Sequence, residues 1–171
     1  GKTVMPTLIN VHVHIGYEGY TSWGAKDYTP QNVLDHLERE AFYGTGVTQS
    51  VGSSPTDASI EFQRDQQKGK YPLASRFFFM SGMAPPRGGP DEVLREGTTA
   101  LHAIYEISTP EEAREAVQSM AKKKLKQVKI WVDDRRGTYP KMTPEVFTAI
   151  IDEAHKHRML VNAHATTLAD Q

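Results

Sequence analysis

The sequence predicts an α/β fold, a (β/α)8 TIM-type barrel of which about the first five β/α units are present. Three observations carry that expectation. Five short runs rich in apolar, β-branched or aromatic residues occupy 8–15, 47–51, 76–80, 128–132 and 160–164. Between most of them lie stretches with apolar residues at helical spacing. The alternation of strand and helix is the order that produces a parallel sheet with right-handed crossovers. A complete eight-stranded barrel takes about 250 residues, so 171 residues hold about five units.

The helices declare themselves by stripe and by start signal. Val33, Leu34, Leu37 and Ala41 share one face after Thr29-Pro30. Ala113, Ala116, Val117 and Met120 do so after Thr109-Pro110, and Phe147, Ile150, Ile151 and Ala154 after Thr143-Pro144. In each start, and in Ser54-Pro55, a hydroxyl stands ready to cap a backbone N–H. The proline that follows has no N–H to leave unpaired and a φ already helical. Glu112 completes a capping box with Thr109. A helix over 57–68 follows from Ser54-Pro55-Thr56-Asp57, although its apolar stripe is weak. The stretch 82–108, with Pro85-Pro86-Arg87-Gly88-Gly89-Pro90, reads as a long loop after the third strand. Phe77, Phe78 and Phe79 read as core, and His36, His155 and His157 as solvent-facing or capping residues on helices.

Composition narrows the function classes. A formal net charge of −1 offers nothing for nucleic acid or an anionic membrane. No apolar run is long enough to span a bilayer. There is no cysteine, so any metal must be held by histidine, carboxylate or a modified side chain. The compartment stays open: a soluble protein of the cytoplasm, or a periplasmic or secreted one. The first residues show no initiator methionine or leader pattern, and 167–171 read as the opening turn of a helix. The chain is therefore expected to be one partial domain, 1–171, of a longer barrel.

Three clusters carry chemistry. In Asn10-Val11-His12-Val13-His14, strand alternation puts Asn10, His12 and His14 on one face. Two imidazoles there make a pincer for a divalent metal; the competing reading is a surface strand with two solvated histidines. In Gln127-Val128-Lys129-Ile130-Trp131-Val132-Asp133, Val128, Ile130 and Val132 face the helices and Lys129 faces inward. A lysine in a dry site tends to lose its charge. Its neutral amine can then take up carbon dioxide as a carbamate, a two-oxygen ligand able to bridge two metals. The alternatives are a snorkelling lysine, or one paired with Asp133 or Asp134. In Val161-Asn162-Ala163-His164, the histidine lies at the C-terminal end of a strand, where barrel active sites sit, or is simply structural. Tyr17, Tyr20, Trp23, Trp131 and His102 are candidate substrate contacts.

Met5-Pro6-Thr7-Leu8-Ile9-Asn10-Val11-His12-Val13-His14 resembles the first barrel strand of the amidohydrolase superfamily, Val128-Lys129-Ile130-Trp131-Val132-Asp133-Asp134 its fourth, and Val161-Asn162-Ala163-His164-Ala165 its fifth. Within the superfamily the branch of prolidases and imidazolonepropionase-related enzymes is the most similar. The resemblance implies hydrolysis of an amide, peptide-like or cyclic C–N bond by a metal-activated water. It implies one or two divalent ions, zinc first among them, with His12 and His14 on the α metal, carbamylated Lys129 bridging, and His164 on the β metal. The family's further histidine after strand six and its general-base aspartate after strand eight have no counterpart in these residues, so no catalytic proton-transfer group is expected within the chain. Thr7 and Asn10 stand where the family shows Gly and Asp. The implied substrate is a small or short peptide-like molecule. The alternative is a non-catalytic half-barrel, inactive alone, whose edges pair with a second copy or with a missing barrel half.

Overall fold

The computed structural model describes residues 1–170. Its strands are β1 (Leu8–Val13), β2 (Thr45–Val51), β3 (Arg76–Ala84), β4 (Ile104–Glu106), β5 (Gln127–Trp131) and β6 (Leu160–His164). Its helices are α1 (Pro30–Phe42), α2 (Thr56–Gln67), α3 (Glu92–Ala100), α4 (Pro110–Lys122) and α5 (Pro144–Lys156). The strands are parallel in the order β1-β2-β3-β5-β6, with β4 beside β3. The fold is the expected α/β class, a half-barrel of five principal strands. None of its helices is long and apolar enough to cross a membrane among the described residues.

Alternation along the strands sorts side chains into two layers. Val128, Ile130 and Val132 pack with Ala113, Val117 and Met120 of α4 and Val146, Ile150 and Ala154 of α5. Phe77 and Phe79 pack with Val33 and Leu37 of α1 and Phe62 of α2. The residues between them turn to the opposite, inner face of the sheet. Phe78 is one of these: it is partly exposed, beneath the Arg76 guanidinium 5.4 Å away, and is not core. On the helix side the β2–β3 region carries small hydroxyl pairs, Thr48 with Ser75 at 2.7 Å and Thr56 with Ser81 at 2.6 Å. Each satisfies groups that burial would otherwise leave unpaired.

Several expectations are corrected. The stretch 82–108 is not a plain loop: β3 runs on to Ala84, Asp91 caps α3 by accepting from the Leu94 N–H at 3.2 Å, and β4 follows. The strands expected as fourth and fifth are therefore β5 and β6. The first run ends as a strand at Val13, leaving His14 just beyond it. Ser54 does not cap α2. Pro55 occupies the N-cap, and the Ser54 hydroxyl donates instead to Ser50 Oγ at 2.7 Å. Thr143 is at the N-cap of α5 but makes no side-chain bond there, whereas Thr109 and Glu112 form the capping box. The helical turn expected over 167–171 is a short 3-10 turn at Leu168–Asp170, and Gln171 lies outside the described residues. His36 is buried, not solvent-facing.

The main strand path ends in β1 and β6, while β4 pairs only with β3. Ile9 and Val11 are 61% and 65% exposed and Leu160 64%, and no lysine, arginine, aspartate or glutamate lies in β1 or β6. Uncovered parallel edges pair with other chains. The isolated 171-residue chain is therefore expected to self-associate. Multi-angle light scattering checks this, and a monodisperse monomer would contradict it.

Candidate metal centre

The inner face of β5 is set by its outer face. With Val128, Ile130 and Val132 under the helices, Lys129 and Trp131 must point inward. In register, Lys129 lies beside Gly82 of β3 and Asn162 of β6, and Trp131 beside His164. Two glycines make room for these large side chains. A Cβ on Gly52, whose φ of +83° also favours glycine, would lie 2.6 Å from both Lys129 Cγ and Trp131 Cη2. One on Gly82 would meet the Gly52 carbonyl oxygen and lie 2.8 Å from the indole. Lys129 is only 3% exposed, with its ammonium 5.4 Å from the Trp131 ring centre. Burial lowers its pKa, Asp133 opposes this, and Arg135 adds to it.

The histidines arrive by a less regular route. The β1–β2 register shifts between Leu8 and Ile9 and again between Asn10 and Val13. Asn10 donates through Nδ2 to Glu40 Oε1 on α1 at 3.2 Å, and Val13 and Ile15 pack in the helix-side cluster. Asn10 therefore does not share the face of His12 and His14, which strict alternation had predicted. The added residue between Asn10 and Val13 resets the phase. His12 and His14 stack edge to face with ring centres 5.4 Å apart.

Electrostatics tie the four predicted residues together. Burial lowers the pKa of His12, with Lys129 contributing. Burial also lowers that of His14, to about 4, with His12, Lys129 and His164 adding to it and Asp91 opposing. Burial lowers His164 too, opposed by Asp133 and helped by Lys129, Arg135 and His12. The structure thus brings His12, His14, Lys129 and His164 into one electrostatic neighbourhood on the inner face. Among the described residues no three His, Asp or Glu side chains form a ready cation cluster. The donors nonetheless suit a divalent ion: three imidazoles held neutral, whose ring nitrogens can ligate, around a lysine biased toward its neutral amine.

Asp133 does not pair with Lys129. Its Oδ2 accepts from the Thr166 hydroxyl at 3.2 Å and lies 3.7 Å from Arg135 Nε and 3.8 Å from His164 Nε2. Arg135 also donates to the Gly89 carbonyl at 3.3 Å, joining the loop after β5 to the loop after β3. Sequence reasoning missed Asp133 in this setting, and missed Ser53 and His36. The Gly16 N–H donates to His36 Nδ1 at 3.2 Å, so Nε2 carries the proton and donates to the Glu18 carbonyl at 2.9 Å. His36 thereby pins the loop that follows His14. Ser53 lies 2.8 Å from His14 Nδ1; its place just beyond the C-terminal end of a strand was the available signal.

The candidate substrate contacts separate. Tyr17 and Trp131 are enclosed in this structure. Tyr17 is a strut whose O–H donates to the Ser53 carbonyl at 2.5 Å; burial raises its pKa, so it keeps the proton it donates. Tyr20 is fully exposed, and Trp23 is half-exposed and stacked on Tyr17 at 6.3 Å. His102 is exposed, at a left-handed φ of 48°, and lines a depression with Arg95, Thr98 and Glu106.

The sequence profile described as "Amidohydrolase family" matches residues 3–171. No curated protein sequence matches at a significant level. Among solved structures, the chain is similar to a prolidase complexed with N-methylphosphonate-L-proline, at 21% identity and TM-score 0.72, over 99% of this chain and 45% of that one. It is similar to a Xaa-Pro dipeptidase with methionine bound in its active site, at 20% and 0.70, over 96% and 44%. It is also similar to an ochratoxinase from A. niger, at 19% and 0.67, over 97% and 44%. The chain thus spans less than half the length of these structures, and the likeness is one of fold.

Two outcomes follow from this geometry. His14 titrates near 4 when folded against an ordinary 6.5. Between those values the unfolded chain binds a proton that the folded one does not, so stability rises with pH across that window and is complete above it. Urea melts of the metal-free protein from pH 4 to 7 should show this, with a flatter rise in His14→Asn; equal slopes would refute the assignment. Gly82→Ala should destabilise the protein by about 1–3 kcal/mol through overpacking against the Gly52 backbone and Trp131, measured by the same melts.

Proposed function

The chain belongs to the amidohydrolase family, and from that premise we propose that the protein is a metal-dependent hydrolase of amide, peptide-like or cyclic C–N bonds. The observation that carries the reading is the gathering of His12, His14, Lys129 and His164 on the inner face, with all four biased toward their uncharged forms. His12, His14 and His164 would hold one or two divalent ions, zinc in the first instance. Lys129 would join them as a carbamate: its neutral amine bonds to the carbon of carbon dioxide and releases a proton, leaving an anionic ligand. The metal, when bound, supplies an activated water and a polarised substrate carbonyl.

The chain's own residues prepare that chemistry. Trp131, Gly52 and Gly82 hold the Lys129 stem in a dry slot, which favours the neutral amine over the ammonium. Asp133 Oδ2 lies 3.8 Å from His164 Nε2, a charge contact rather than a hydrogen bond, and sets a negative charge beside that ring. Tyr20, Trp23 and His102 are exposed and remain available to a substrate. The prolidase and dipeptidase likenesses support a small, short peptide-like substrate. The general base is expected from a strand beyond these residues.

A second reading has its own observation. The exposure of Ile9, Val11 and Leu160 suits a half-barrel that functions only when its edges are covered by further βα units or by a second copy. Intact-mass and metal analysis of the purified protein, followed by assays on dipeptides, N-acyl amino acids and cyclic amides, tests the two. The hydrolase reading expects bound divalent metal, activity lost on chelation, and a fall of about a hundredfold or more in kcat/KM for His12→Ala and for Lys129→Ala. The 171-residue chain alone should be inactive or nearly so. Chelator-resistant hydrolysis, or wild-type activity in both variants, would defeat the reading.

A further inference from the structure

Ser53 follows β2 directly and is fully buried. Its Oγ lies 2.8 Å from Nδ1 of His14. Its carbonyl accepts the Tyr17 hydroxyl at 2.5 Å. The Tyr17 ring is held between Trp23 and Tyr28 and lies so close to Gly97 of α3 that a Cβ there would be 2.7 Å from Cδ1. A buried line of contacts therefore runs from α3 through Tyr17 and Ser53 to His14. The His12 ring makes no such hydrogen bond among the described residues.

A neutral imidazole has one N–H. The nitrogen that meets a cation must be bare, so the other carries the proton and needs an acceptor. The Ser53 hydroxyl oxygen is within reach to be that acceptor: an Nδ1–H donating to it would leave Nε2 bare. With alanine at position 53, the Nδ1–H would be left without this partner in a partly buried place, and the ring could change tautomer or rotate. Fixing the far nitrogen is how a neighbouring polar group raises the affinity of a histidine for metal.

We propose that Ser53 is a positioning residue that holds His14 as its Nδ1–H tautomer with Nε2 presented to the metal, and that Tyr17 keeps Ser53 in place. The proposal rests on the metal-centre reading above. The test uses the intact protein with two readouts. One is the tautomer of His14 in the metal-free state, from long-range 1H–15N correlation spectra. The other is zinc affinity, by competition with a chromogenic chelator.

Wild type should show the Nδ1–H form. Ser53→Ala should show a mixture and bind zinc about 10–100-fold more weakly. Tyr17→Phe, which keeps the ring, should fall between them. Thermal melts of the metal-free proteins separate this from general damage: the affinity loss should persist when variants of matched melting temperature are compared. Wild-type affinity in Ser53→Ala, or a wild-type His14 protonated at Nε2, overturns the proposal. If wild type binds no zinc, the metal-centre reading fails, and the tautomer still decides the role of Ser53: loss of the Nδ1–H form in Ser53→Ala supports it and retention overturns it.

Discussion

Burial of Val128, Ile130 and Val132 beneath α4 and α5 decides which way Lys129 points. Each such side chain contributes about 1.5–3 kcal/mol by leaving water, so turning β5 over would expose all three. That outweighs the cost of placing one lysine in a poorly hydrated slot, especially when the amine can shed its proton. The same constraint carries across the register to β6, setting His164 beside Trp131 and Asn162 beside Lys129. The inner face is therefore a by-product of the outer one, and its chemistry is held by packing that never touches it.

Against that regular frame stand three local devices. The register shift in β1 turns His12 and His14 inward while Asn10 reaches α1. The close approach of Gly52 to Gly82 opens the slot for Lys129 and Trp131. His36 and Ser53, one on a helix and one after a strand, fix the backbone and the ring around His14. Each concentrates at the C-terminal ends of the strands, where backbone is least committed to the sheet and side chains converge. The loops there are also tied to each other: Arg95 on α3 stacks on Tyr139 at 4.1 Å and donates to the Arg87 carbonyl at 3.2 Å.

The order of strands and helices and the inward parity of β5 were legible in the amino-acid sequence because they rest on local periodicity, which any short window reports. So was the capping box at Thr109; His12, His14, Lys129 and His164 were legible as candidates, since strand ends with imidazole or amine on one face are a local pattern. α3 and β4 were not legible: nine and three residues long, they sit in a stretch rich in glycine and proline that reads as irregular, and only packing against Tyr17 and pairing with β3 make them regular. The phase of Asn10 could not be read because a register shift exists only relative to a neighbouring strand. The enclosure of Tyr17 and Trp131, the clamp at His36 and the contact of Ser53 with His14 likewise depend on segments far apart in the chain meeting in space. The chain by itself determined which residue types lie on each face of a strand; the tertiary structure decided which of those faces meet, because contact between distant segments is set by the packing of whole layers and not by any local propensity.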